Sequence, residues 1–196
     1  MDLAFSPAVK AVQERRGSRQ SYARMEEKGS DRTSVDAGLA TFIADVRSFY
    51  LATANCEGQP YIQHRGGPPG FLHVLDDTTL AFADFSGNRQ YISTGNLADN
   101  PKAMIFLMDY RARRRIKIWG TARVVEDDPA LIERLLPEGY QARAVAAIAF
   151  TVAGWDVNCP QHIPQMLLAE DAVVLAERIK ALEAENASLR EALADA

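Results

Sequence analysis

Apolar residues follow one spacing up to about Val46 and another from Ser48 onward, and the change divides the chain. Before it, Leu39, Phe42, Ile43 and Val46 recur at three- and four-residue intervals, which predicts a helix capped by Thr33 or Ser34. An earlier helix is predicted to start at Ser6-Pro7, where Ser caps and Pro suits the first turn, with Val9 and Val12 on one face. Gly17-Ser18-Arg19 and Lys28-Gly29-Ser30-Asp31 break the remaining polar sequence into short pieces. From Ser48 the pattern alternates. Strands are predicted at Phe49–Ala54, Tyr61–Arg65, Phe71–Leu75, Thr79–Ala83, Ala103–Met108 and Ile116–Val125, separated by turns such as Asn55-Cys56-Glu57-Gly58. Asp127-Asp128-Pro129 opens a short helix carrying Leu131, Ile132, Leu135 and Leu136. Ala144–Gly154 is apolar throughout, as expected of a central strand buried on both faces. This rhythm describes an antiparallel barrel or sandwich.

The tail has a third period. Leu168, Leu175, Leu182 and Leu189 recur every seven residues, with Ala172, Ile179, Asn186 and Leu193 in the other seam position. Leu at d with a single Asn at a favours parallel two-stranded pairing, and Arg178 and Glu185 at g face Glu183 and Arg190 at e in that register. The plainer alternative is one amphipathic helix packed on its own barrel. The chain thus reads as a helical or irregular extension over 1–40, a barrel domain over 41–165 and a coiled-coil helix over 166–196.

Composition narrows the function. With 24% charged residues and a net charge of −4, there is no basic excess to suggest a nucleic-acid face. The run Ala144–Gly154 is too short to span a bilayer, and no charged-then-apolar leader opens the sequence, so a cytoplasmic protein without membrane partners is expected. Cys56 and Cys159 form no CxxC spacing and read as free thiols. His64, His73 and His162 share no metal-ligand spacing, and no metal is predicted.

The chemistry concentrates in Tyr61–Leu97. Gln63-His64-Arg65-Gly66-Gly67 ends one apolar segment, and Ser86-Gly87-Asn88-Arg89-Gln90 follows another. In Tyr61–Arg65, Ile62 and His64 belong to one face and Gln63 and Arg65 to the other. If the segments pair, two guanidiniums, a glycine turn and several amides converge on a socket for a phosphorylated ligand, since Arg offers a planar fork and Gly lets backbone approach. The alternative is a hairpin with a Gly/Pro-rich turn and solvated arginines. A short helix is predicted over Asn88–Leu97, opening at Ser86-Gly87-Asn88 with Arg89 in its first turn, where unpaired N–H groups favour an anion. Farther on, Arg115, Lys117 and Trp119 alternate with Ile116 and Ile118, and Trp119 reads as a packed aromatic.

The blocks QHRGGPPGFLHVLDD, GNRQYISTGNL, RIKIWGTARVVED and WDVNCPQHIPQ together resemble the pyridoxamine 5'-phosphate oxidase-like family, the FMN-binding split β-barrels, over roughly Thr41 to Gln165. The resemblance implies a mainly β (α+β) fold, a six-stranded-type antiparallel split β-barrel with flanking helices. It also implies FMN as cofactor and a homodimer whose flavin site is shared between chains. On the same ground Arg65 and Arg89 are expected at the FMN phosphate, supported by Asn88 and Gln90. Gln63, His64 and the Ala83-Asp84 backbone are expected along the ribityl chain or ring edge. Arg115 and Lys117 are expected at the pyrimidine edge, where positive charge stabilises reduced flavin. Trp155, Gln161 and His162 are candidates for the substrate side, with His162 a candidate proton donor.

Two departures matter. Gln90 stands where the oxidases often carry a second basic residue, and Gly66-Gly67-Pro68-Pro69-Gly70 interrupts their continuous strand. With no second phosphate socket in the sequence, pyridoxamine 5'-phosphate itself is not the expected substrate. The expected activity is electron transfer between a reduced donor, NAD(P)H being a candidate, and a small acceptor. The alternatives are a non-catalytic flavin binder or sensor, and a haem-binding relative in which His64 or His162 serves.

Overall fold

In the computed structural model, residues 3–27, 32–157 and 160–194 are described. The chain forms two compact units, one of Met1–Met108 with Arg115–Cys159, the other of Asp109–Arg114 with Pro160–Ala196.

In the first unit, helix α1 (Pro7–Arg16) starts as expected: the Ser6 hydroxyl accepts the Val9 N–H at 3.3 Å, and Gly17 closes the helix in the left-handed region. Helix α2 (Arg19–Glu27) has no counterpart in the sequence reading. Its polar sequence gives no apolar stripe, and its fixed point is Glu26, which pairs with Lys10 and Arg19. Helix α3 (Ala37–Asp45) buries Leu39, Phe42 and Ile43, but its cap is Asp36 rather than Thr33 or Ser34. The Asp36 carboxylate accepts the Leu39 N–H at 2.7 Å, while the Ser34 carbonyl and Val35 N–H are bonded to Trp155 and Asp77.

Seven strands follow: β1 (Ser48–Ala54), β2 (Pro60–Gly66), β3 (His73–Val74), β4 (Thr79–Phe85), β5 (Lys102–Asp109), β6 (Arg114–Val125) and β7 (Ala144–Val157). They form one sheet in the order β2-β1-β5-β6-β7-β4-β3. Each of the seven strands overlaps a segment read as extended, one more than the six that the resemblance implied, and the shortest is the two-residue β3. Extended structure was expected over Phe71–Leu75, but Phe71 and Leu72 are buried, and only His73 and Val74 reach the ladder.

The sheet curls until its ends meet. Phe49 on β1 lies edge-on to Phe82 on β4 at 5.0 Å and stacks on Phe71 at 5.6 Å. Inward-facing Leu51, Ile105, Leu107, Ile116, Ile118, Ile148 and Phe150 complete the filling. Full burial of each large side chain contributes about 1.5–3 kcal/mol. Strand β7 is buried on both faces, and its sequence explains how. Ile148 and Phe150 point into the barrel, while Ala147 and Ala149 face outward beneath Leu131, Ile132 and Leu135, in and just after helix α5 (Pro129–Arg134). Only small residues leave room for that cover. Asp128 caps α5 by accepting the Leu131 N–H at 2.9 Å.

Helix α4 (Ile92–Asp99) completes the first unit. In the second unit, the Asp109–Arg114 turn meets the segment that begins α6 (Ala169–Ala194): Gln165 donates to the Arg111 carbonyl at 3.0 Å and the Met166 N–H to that of Tyr110 at 3.2 Å. The Asp171 carboxylate accepts the Leu168 N–H at 3.2 Å and pairs with Arg111 at 3.3 Å. An acid in the first turn that reaches back in this way satisfies a donor the helix leaves open. Among the described residues no helix is long and apolar enough to cross a membrane.

Candidate functional site

On β2 the exposed positions are Pro60, Ile62 and His64, and Gln63 and Arg65 turn toward the barrel, as the alternation required. Register places Gln63 opposite Leu51 and Arg65 opposite Phe49, so both lie on the inner face near one end. The Arg65 Nη1 pairs with the Asp84 carboxylate, and its guanidinium carbon lies 5.7 Å from the Phe82 ring centre. Both side chains are nearly nine-tenths buried, at 11% and 13% exposed. Their partnership directs Nη1 away from ligand duty while the Arg65 Nε stays buried without an acceptor. His64, on the outer face, meets Tyr50 edge-on at 5.8 Å.

Helix α4 contributes a polar link that the sequence reading missed. Ser93 donates its hydroxyl to the Gln63 amide oxygen at 2.7 Å, and the Asn96 amide donates to the Thr53 hydroxyl at 3.0 Å. Ser93, Asn96 and Thr53 are all buried. The signal was available as polar residues three apart on one face of a short helix, the side opposed to its exposed Gly95.

The predicted helix start is corrected. The helix begins at Ile92, not at Ser86-Gly87-Asn88, so Arg89 stands before it and not in its first turn. Asn88 instead accepts the Gln90 N–H at 3.2 Å, an Asx turn that uses the side chain locally. Ser86 is held in strand-like pairing by the Arg143 carbonyl at 2.8 Å. Arg89 and the cap residue Tyr91 both occupy the left-handed region, at φ 60° and 53°. The loop Ser86–Tyr91 is exposed throughout, and among the described residues the Arg89 guanidinium makes no ion pair or hydrogen bond. Its charge is therefore available to an anion. Ala83, expected to offer backbone, is buried, and Asp84 beside it is mostly buried, its side chain being the more informative group.

On β6 the expected alternation is present: Ile116 and Ile118 are buried, and Arg115, Lys117 and Trp119 share the opposite face. Trp119 is half-buried there rather than packed in the core, with the Lys117 ammonium 5.2 Å from its ring centre. The Arg115 Nε is buried without an acceptor.

Trp155, expected on the substrate side, belongs to the core. It is 8% exposed, its indole N–H donates to the Ser34 carbonyl at 2.9 Å, and Arg32 lies over its ring at 4.9 Å while pairing with Asp156. An aromatic with a satisfied donor that anchors the segment before α3 has no free face for a substrate. Trp155–Val157 also extends β7 beyond the predicted end at Gly154. Asn158 and Cys159 lie outside the described residues. Gln161 and His162 belong to the second unit, both are exposed, and His162 adopts φ 62°.

His73 is the histidine with a displaced titration. Burial holds its pKa below the ordinary value, a hydrogen bond to the Leu135 backbone opposes this, and the Arg134 charge adds to the lowering. Its Nε2 is buried without a partner. Cys56 is a free, exposed thiol.

Residues 35–159 match a family model described as pyridoxamine 5'-phosphate oxidase. The chain belongs to this family. No curated protein matches it. The structure of HupZ from Group A Streptococcus is 17% identical, aligned over 68% of this chain and 99% of that chain, with a TM-score of 0.53. A candidate pyridoxamine 5'-phosphate oxidase from Lactobacillus delbrueckii is 17% identical over 64% of this chain and 96% of that chain, with a TM-score of 0.50. At such identities the likeness is one of fold: the family's split barrel, here with seven strands. The FMN that the sequence resemblance implies would need donors for a phosphate and for ring carbonyls. The unused N–H groups of Arg89, Arg65 and Arg115 are of that kind.

Proposed function

We propose that this protein is an FMN-dependent oxidoreductase working as a homodimer with its flavin sites shared between chains. The observation that carries the reading is the family match across residues 35–159, which contains every proposed cofactor contact from Gln63 to Lys117. When bound, FMN supplies two-electron chemistry between a reduced donor, NAD(P)H being the candidate, and a small acceptor or oxygen.

In this reading the chain's own residues bind and tune. Arg89 provides the uncompensated charge for the phosphate, with Asn88 and Gln90 shaping its loop. Arg65 contributes its remaining N–H groups, held in orientation by Asp84. Gln63, fixed by Ser93, borders the ribityl chain together with the Ala83-Asp84 backbone, and His64, on the opposite face of β2, lies away from it. Arg115 and Lys117 supply positive charge at the pyrimidine edge, where negative charge accumulates on reduction. His162 and Gln161 are the proposed substrate-side groups, with His162 donating a proton.

The experiment is to incubate the purified chain with FMN, NAD(P)H and a quinone or dye acceptor and to follow loss of the reduced nicotinamide. Steady turnover above free FMN is expected, and it should fall in a His162→Ala variant that still binds flavin. Tight flavin binding with no turnover for either nicotinamide would replace this reading with that of a flavin-binding sensor.

A further inference from the structure

We propose that α6 is an interaction surface for a second copy of this chain, forming a parallel, in-register two-stranded coil. The inference does not rest on the flavin reading. It starts from a helix of 26 residues, about 39 Å long, in which no residue is buried. Helices in proteins draw most of their stability from packing an apolar face against a partner surface.

The residues left uncovered are not scattered. Leu175, Ile179, Leu182 and Leu189 are 45–58% exposed and lie at d, a, d and d positions of one heptad register, with Asn186 at the a position between the last two. Leu193 continues that seam at a. Heptad spacing makes a narrow stripe that fits a like stripe, unlike the broader face that packs onto a sheet.

Two features select the occupant and its direction. In parallel register Arg178 faces the partner's Glu183 and Glu185 faces the partner's Arg190, so both flanks attract. That arrangement is symmetric and needs nothing but another copy. An antiparallel pair would keep Arg178 near the partner's Glu185, so charge alone does not settle direction. Asn186 does. Antiparallel packing sets its amide against the partner's Leu175, leaving a polar group buried without an acceptor. Parallel packing sets it against the partner's Asn186, and the two amides satisfy each other. Asp171 closes the first turn of the helix and pairs with Arg111, so this acid is committed within the chain.

The test uses the full-length chain with Cys56→Ser and Cys159→Ser, adding Asn186→Cys in one protein and Ser188→Cys, at an outward c position, in another. On mild oxidation at micromolar concentration, Asn186→Cys is expected to form disulfide-linked dimer at least roughly a hundredfold faster than Ser188→Cys, because facing seam thiols have a high effective concentration. Adding Leu182→Lys to the Asn186→Cys protein should remove that advantage while leaving the barrel's near-ultraviolet spectrum unchanged. Equal, slow crosslinking at both positions would overturn the proposal, whether the cause is a lone helix, an antiparallel pair or a seam reserved for a different protein.

Discussion

Arg65 on β2 and Asp84 on β4 form an ion pair that joins strands lying near opposite ends of the sheet order. Among the described residues these strands are not neighbours in the sheet, and the ion pair and the Phe49–Phe82 contact bridge the curled sheet at that end. Removing one member strands a charge in a mostly buried place. Asp84→Ala is therefore expected to destabilise the fold by about 2–4 kcal/mol, and the double change Arg65→Met with Asp84→Leu to cost much less. Urea unfolding of the three variants checks this.

Gly120 sits at the β6 bulge against β7. A Cβ there would lie 1.9 Å from the Thr151 carbonyl oxygen and 2.7 Å from the Phe150 ring. Gly120→Ala is expected to destabilise by at least about 3 kcal/mol or to prevent folding. Gly95, in α4, meets nothing within 4 Å. Gly95→Ala should instead stabilise by about 0.5–1 kcal/mol, since Ala loses less backbone entropy in a helix. Melting temperatures of the pair separate contact from entropy.

Asn96→Ala removes the partner of the buried Thr53 hydroxyl. The expected cost is about 1–3 kcal/mol, because the hydroxyl loses its bond without regaining water. Thr53→Val combined with Asn96→Leu should recover part of it in the same denaturant assay.

His73 gives a pH dependence of definite sign. Burial keeps its folded pKa below the ordinary value of about 6.5, so the unfolded chain takes up the proton first as pH falls. Its contribution is intact above that value and is lost progressively on acidification from about 6.5 down through the folded pKa. His73→Gln should flatten this part of the stability curve between about pH 8 and pH 5, measured as the difference from wild type.

Much of the barrel was legible because its strands carry their burial in their sequence. Ile116 and Ile118 alternate with Arg115 and Lys117, and β7 alternates alanine with Ile148 and Phe150 where a helix covers one face and the barrel core the other. What escaped is set by contacts distant in sequence. Helix α2 depends on Glu26 meeting Lys10, Trp155 was claimed by Ser34 and Arg32, and Arg65 found a carboxylate nineteen residues away. The helix expected at Asn88 started later because an Asx turn and two left-handed residues intervened, a local choice that apolar periodicity does not encode.

Arg89 and Arg65 differ in one respect that affinity can read. Among the described residues the first has no counter-charge, and the second is already balanced by Asp84. Arg89→Ala is expected to weaken FMN binding by about 10- to 100-fold, more than Arg65→Gln does, as charge-assisted bonds of roughly 1.5–3 kcal/mol allow. Quenching of FMN fluorescence measures both.

The most direct measurement is the visible spectrum of the chain purified without added cofactor, followed by titration with FMN and with haemin. The account predicts a yellow protein, or a colourless one that takes up one FMN per chain and quenches its fluorescence. A protein that ignores FMN, or that binds haemin with a Soret band while leaving FMN free, would contradict it.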